Sequence, residues 1–223
     1  GAVLKQTGRI NESLFAKHKA LELEPRDNKA HNNLGNTLKK QGRLDEAEAS
    51  YRQAITLKPD YAITHCNLGS TLKELGRLDE AEASFRQALV LKPDLVEAHN
   101  NLGVALKGLG RFEEAEASFR QAIVIKPDLA ESYSNLANTL QETARFEEAE
   151  ASCRQAIVLK PEYASAHSNL GNALKELGRV DEAEASFRRA IVLKPNFAGA
   201  HSNLGNTLQG LGKLEEAEAS FRR

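Results

Sequence analysis

Apolar and polar positions along this chain follow a helical spacing that breaks, resumes on a new face and then begins again. Between residues 28 and 61, Ala30, Leu34 and Leu38 share one helical face, and Gln41 continues the spacing where later copies carry Leu75, Leu109, Leu177 and Leu211. A first amphipathic helix is expected there. Asp45 opens a second one, with Ala47, Tyr51, Ala54 and Ile55 on one face. Its alanines let a neighbouring helix come close, and the aromatic ring fills the room that remains. Gly42 lies between the two, where a left-handed residue closes a helix, and Gly76, Gly110, Gly178 and Gly212 share its slot. Asp60, Asp94 and Asp128 each follow a proline and are placed to cap the next first helix, with Glu162 and Asn196 as substitutes. The expected unit is a pair of antiparallel helices ended by a proline.

That unit is written again and again. Pro25, Pro59, Pro93, Pro127, Pro161 and Pro195 are all the prolines of the chain, each 34 residues after the last. A fixed period of this kind replaces the expectation of one or two globular domains with a stack of small units. Full copies occupy residues 28–61, 62–95, 96–129, 130–163 and 164–197, and a sixth, shortened one runs over 198–223. Residues 1–27 read as a degenerate partial copy, with Leu4, Gly8, Ala20 and Pro25 in pattern but Ser13 and Lys17 where alanine and an aromatic belong. The fourth full copy departs too, carrying Ala137 and Ala144 at the two glycine positions and Cys153 in the aromatic slot. An alanine in a left-handed cap costs about 1 kcal/mol, so this copy is expected to be the softest. Copies cut at both ends lead to the expectation of a longer parent array, whose open stacking faces would invite head-to-tail self-association.

Composition narrows the partner. Lys and Arg total 30 against 31 for Asp and Glu, so bulk charge gives no reason to expect nucleic acid or an anionic membrane surface. No apolar run approaches membrane-spanning length and residues 1–10 lack the pattern of a signal peptide, which makes a cytoplasmic location the expectation. Cys66 and Cys153 fall in copies that are not neighbours and are expected to be free thiols. On the outer face of each second helix a glutamate stands four residues before an arginine, first as Glu48 with Arg52 and last as Glu218 with Arg222. Such pairs contribute about 0.2–0.5 kcal/mol each and mark a solvated surface rather than a docking stripe.

The set Asn33, Leu34, Gly35, Leu38, Ala47, Tyr51, Ala54 and Pro59 resembles the tetratricopeptide repeat, and the resemblance covers almost the whole chain. It implies an all-α solenoid of stacked antiparallel helix pairs in a right-handed superhelix. It also implies that the first helices line a concave side where peptides or proteins bind. One departure stands at the first aromatic slot, where His31, His65, His99, Tyr133, His167 and His201 replace tryptophan.

Candidate chemistry is sparse. Equivalent helices of adjacent copies lie about 10 Å apart, whereas zinc ligands approach the metal to about 2 Å, so the histidines are expected to pack rather than bind a metal. Acidic pairs such as Asp45 with Glu46 recur at helix starts, where negative charge suits the helix dipole. No nucleophile triad, phosphate loop or paired-cysteine motif is present, so neither catalysis nor a cofactor is expected. A stronger signal is polar. Asn33, Asn67, Asn101, Asn135, Asn169 and Asn203 occupy one position in every copy, with Asn36, Asn138, Asn172 and Asn206 one turn further along the same stripe. Asparagine is a poor helix former, costing roughly 0.5 kcal/mol or more at an interior position. An amide offers both a donor and an acceptor to a peptide backbone, whatever the side chains. Small residues at the preceding position, Asn32, Cys66, Asn100, Ser134, Ser168 and Ser202, are expected to leave room for a bound chain.

This ladder, with the phrases AHNNLGN, YSNLANTL and AHSNLGN, resembles the tetratricopeptide arm of O-GlcNAc transferases, in which asparagines at this position hold substrate backbones. No glycosyltransferase portion accompanies it. The basic clamp of chaperone-binding tetratricopeptide proteins is not matched, because small and amide residues hold its positions. The expected function is a non-enzymatic protein-interaction module that grips extended or disordered segments in its groove. Two alternatives stand beside it: the substrate-recruiting arm of a larger enzyme, and a purely structural or engineered self-stacking array.

Overall fold

Among the described residues, each stretch with the alanine and leucine spacing is helical. The computed structural model describes residues 23–222. The degenerate copy expected over 1–27 lies, as far as residue 22, outside the described residues, and with it Leu4, Gly8, Ser13, Lys17 and Ala20. Twelve helices and no strand occur among the described residues. The described residues divide into two compact units, one reaching residue 110 and the other starting at residue 111. The first holds α1 (Asn28–Lys40), α2 (Leu44–Leu57), α3 (Ala62–Glu74), α4 (Leu78–Leu91) and α5 (Val96–Gly108). The second holds α6 (Phe112–Ile125), α7 (Ala130–Glu142), α8 (Phe146–Leu159), α9 (Ala164–Glu176), α10 (Val180–Leu193), α11 (Ala198–Gly210) and α12 (Leu214–Phe221).

Within each unit, neighbouring helices in sequence pack on one another. First helices also touch each other, α1 with α3, α3 with α5, α7 with α9 and α9 with α11. The buried face of the second helices is alanine and one aromatic: Ala47, Tyr51 and Ala54 in α2, and Ala183, Phe187 and Ala190 in α10, all with no exposed surface. Opposite each ring stands a glycine. A Cβ placed on Gly35 would lie 2.6 Å from the Tyr51 ring, and one on Gly171 would lie 2.7 Å from the Phe187 ring. The aromatic therefore needs the missing methyl, and the two positions form a lock between the helices of one pair.

The turns between paired helices carry the conformation expected of them. Gly42 has φ +74, its N–H donates to the Lys39 carbonyl, and the Arg43 N–H reaches back to the Leu38 carbonyl. This double closure satisfies carbonyls that the helix end would otherwise leave open. Gly178 repeats it with φ 76, and Ala144 repeats it at φ 57 without a glycine.

One expectation is corrected here. Asp60, Asp94 and Asp128 do not cap the next helix, and neither do Glu162 and Asn196. The N-cap positions are one residue later, at Tyr61, Leu95, Leu129, Tyr163 and Phe197, with no side-chain cap bond. These side chains are partly buried, and Lys58, Lys160 and Lys194 lie over the three rings among them, so packing rather than a cap sets the boundary. Among the described residues, α1 alone has the bond, where the Asp27 carboxylate accepts the Lys29 N–H at 2.8 Å. The outer ion pairs also extend from one copy to the next. Arg77 joins Glu48 at 2.7 Å and Glu80 at 2.6 Å, while Arg52 joins the same two carboxylates at 2.8 and 3.3 Å. The ring ties α2 to α4. In the second unit Arg120, Arg145, Glu116 and Glu148 close another between α6 and α8, and Arg154, Arg179, Glu150 and Glu182 one between α8 and α10.

Candidate functional site

The ladder asparagines lie on first helices, with Asn33, Asn67 and Asn101 in the first unit and Asn135, Asn169 and Asn203 in the second. Helical geometry puts residues three and four apart on one face, so Asn33 shares its face with Lys29, Asn36 and Lys40. Asn33 is exposed, whereas the other five are half-buried. What holds them is the neighbouring copy. The Asn67 amide donates to Asn32 Oδ1 at 3.0 Å, that of Asn169 to the Ser134 carbonyl at 3.2 Å and its Oγ at 3.3 Å, and that of Asn203 to Asn172 Oδ1 at 2.9 Å. Asn101 works the other way, its Oδ1 accepting from Lys73 Nζ at 2.7 Å. Each bond fixes a rotamer and consumes one side of the amide. In Asn67, Asn169 and Asn203 the carbonyl oxygen keeps its lone pairs for a further partner.

The residues before the ladder do not line an open channel as expected. Asn32, Cys66, Asn100, Ser134 and Ser168 are buried, and only Ser202 is exposed. Their small size serves the approach of the next first helix, and Asn32 Oδ1 also accepts from Thr64 Oγ1 at 3.2 Å. Burial pushes the Cys66 thiol up to about 11 and the Cys153 thiol up to about 12, so neither is a ready nucleophile at neutral pH. The second asparagine row divides. Asn36 Oδ1 takes the hydroxyl of buried Tyr51 at 2.7 Å and Asn172 holds Asn203, so both serve internal structure. Burial, helped by the negative charge of Glu74, raises the Tyr51 phenol above its ordinary range. Asn138 is half-buried and Asn206 exposed.

A set of residues that the sequence reading passed over connects the copies along this face. Lys39 Nζ reaches Ser70 Oγ at 2.6 Å and Glu74 at 3.1 Å, and Gln141 in the same slot donates to the Asn169 main-chain carbonyl at 2.9 Å. The recurrence of Lys39, Lys73, Lys107 and Lys175 at one position was the available signal. The histidines do something specific as well. Nε2–H of His31, His65, His99, His167 and His201 donates to the carbonyl of the proline six residues earlier, at 2.8–3.0 Å. A ring nitrogen there fastens the connecting loop to the first helix, a bond that an aliphatic residue would not supply.

The helix pairs, the glycine and aromatic lock and the repeated turn agree with what comparison finds. Residues 29–223 match the cilia and flagella-associated protein 70 C-terminal domain, a tetratricopeptide-repeat family. The chain belongs to this family. Among solved structures, a tetratricopeptide repeat protein from Parabacteroides merdae is 19% identical, with a TM-score of 0.79 over 99% of this chain and 88% of that one. PilW, a type IV pilus biogenesis factor, is 23% identical with a TM-score of 0.80 over 86% of this chain and 90% of that one. YrrB, described as a tetratricopeptide protein with an unusual peptide-binding site, is 22% identical with a TM-score of 0.67, covering 83% of this chain and 95% of its own. No curated protein matches. Among the described residues, no helix of this tetratricopeptide chain is long and apolar enough to cross a membrane.

Proposed function

We propose that this tetratricopeptide protein is a non-catalytic interaction module that holds extended protein segments along its first helices by main-chain hydrogen bonds. The observation that carries this reading is the ladder itself: three amides per unit at one station, with Asn67, Asn101, Asn169 and Asn203 each pinned by a bond to the adjacent copy. Ligand binding does not have to order such side chains, which lowers its entropic cost. Stations about 10 Å apart meet an extended chain, rising about 3.3 Å per residue, roughly every third residue. The peptide-binding site ascribed to YrrB supports the same class of ligand.

The test is capture of unstructured peptides from a mixed library by the native chain and by an Asn101→Ala, Asn135→Ala, Asn169→Ala variant of unchanged helicity. Sequence-diverse peptides held by the first and lost by the second support the reading. The same peptides held by both would place binding elsewhere and overturn it.

A further inference from the structure

The two units differ in the charge beside the ladder. In the first, α1 carries Lys29 and Lys40 on the face of Asn33, and the Glu74 carboxylate of α3 is met by Lys39 from the preceding copy at 3.1 Å. In the second, α7 carries Glu131, Asn135, Asn138 and Glu142 at the same four stations, and α9 carries Ser165, Asn169, Asn172 and Glu176. Residues three and four apart stack on one helical face, so Glu142 and Glu176 belong to the stripe of the ladder asparagines.

The lysine that would neutralise Glu176 is missing. Gln141 stands where Lys39 stands in the first copy, and its amide goes to the Asn169 main-chain carbonyl at 2.9 Å instead of to a carboxylate. Glu142 and Glu176 are both exposed. The ladder amides of this unit lean the same way. Asn169 and Asn203 spend their N–H groups on Ser134 and Asn172, which leaves carbonyl oxygens to offer. Acceptor and negative charge thus coincide on α9, in Asn169 and Glu176, with Glu142 on α7 and the Asn203 carbonyl on α11 as further groups, and they ask for a ligand that supplies donors and positive charge.

We propose that the segment held by the second unit is basic, with lysine or arginine at about every third residue. Its main-chain N–H groups go to the Asn169 and Asn203 carbonyls and its cations to Glu142 and Glu176. The three-residue period follows from helices about 10 Å apart read by an extended chain at about 3.3 Å per residue. The inference rests on the ladder reading above and adds the chemical class of the partner.

Three synthetic twelve-residue peptides of one backbone, with lysine, serine or glutamate at every third position, decide it when titrated against the whole chain. The expected order is lysine over serine over glutamate. A Glu142→Gln, Glu176→Gln variant should weaken the lysine peptide about three- to tenfold, the scale of two exposed ion pairs, and leave the serine peptide unchanged. An Asn135→Ala, Asn169→Ala, Asn203→Ala variant should lose all three. If the serine peptide binds and is lost with the asparagines, while lysine and glutamate peptides bind alike, the ladder stands and the basic-partner inference falls. If the lysine peptide binds equally to the asparagine variant, the attraction is general surface charge and the inference falls. If no peptide binds, both readings fall together.

Discussion

The fourth and fifth copies lie side by side in the second unit and solve one packing problem in opposite ways. In α9 and α10, Gly171 faces Phe187, and any Cβ at the glycine would meet the ring at 2.7 Å. In α7 and α8 the same two positions hold Ala137 and Cys153, both with no exposed surface. A methyl has been added on one helix where a ring was removed from the other. The loss is larger than the gain, and the turn of the fourth copy bears a further cost in Ala144 at φ 57, where the fifth has Gly178 at φ 76. The comparison teaches that glycine in this repeat is sized against the aromatic rather than chosen for flexibility, and that the pair must change together.

The largest effect should come from emptying the fifth lock. Phe187→Ala is expected to cost about 3–5 kcal/mol, whereas Cys153→Ala should cost about 1 kcal/mol, the scale of deleting one buried heavy atom. Urea unfolding midpoints of the two variants would show this, and equal shifts would break the comparison. Next comes overfilling: Gly171→Ala should cost about 1–3 kcal/mol by driving the Phe187 ring from its seat. Ala137→Gly, its mirror, should cost about 1–2 kcal/mol through backbone entropy and the loss of a buried methyl. A third test addresses the turn, where Ala144→Gly is expected to stabilise by roughly 0.5–1 kcal/mol by relieving the left-handed alanine. Hydrogen exchange should then show α7 and α8 opening first in the native chain, with that difference narrowed in the variant.

The smallest effect lies in the ion rings that join these copies. The side-chain hydrogen bonds from Arg145 and Arg179 hold the carboxyls of Glu148 and Glu182 below their usual range; for Glu150 partial burial is the largest single influence and works upward, but the combined bonds and charges of Arg154 and Arg179 hold it below that range. A depressed folded-state value gives stability that is fully present above the unfolded carboxylate range and is lost as pH falls through the folded one. The thermal midpoint should therefore be level from neutral pH to about pH 5 and fall below about pH 4.5. In Glu150→Gln that acid slope should shrink, and an unchanged slope would remove the rings from the stability of this region.

Much of this was legible because the repeat writes its rules many times over. The left-handed turn glycines, the paired helices and the fourth copy's departures all follow from residue type and spacing. The helix starts do not. An aspartate after a proline reads as a cap, yet Tyr61 and its counterparts take that position with their side chains partly buried, a tertiary demand that outweighs one local hydrogen bond of about 1 kcal/mol. The ladder was legible as a row of amides, but not the side of each amide already used. The outer pairs were visible only within each helix, since Arg77, Arg145 and Arg179 reach carboxylates 29 residues earlier.

By itself, then, the sequence determined a helical repeat, its period, its turns and the membership of each face, because these depend on contacts within one copy and every copy states them again. Only the tertiary structure decided which polar groups are spent between copies and which remain to meet a partner. Asn169 with Ser134, Gln141 with the Asn169 carbonyl, and Arg179 with Glu150 are neighbours in space, 28–35 residues apart in the chain. Hydrogen-bond geometry is settled to a few tenths of an ångström by how adjacent copies stack. A residue's type fixes what it can offer, and its neighbour's position fixes what it has left.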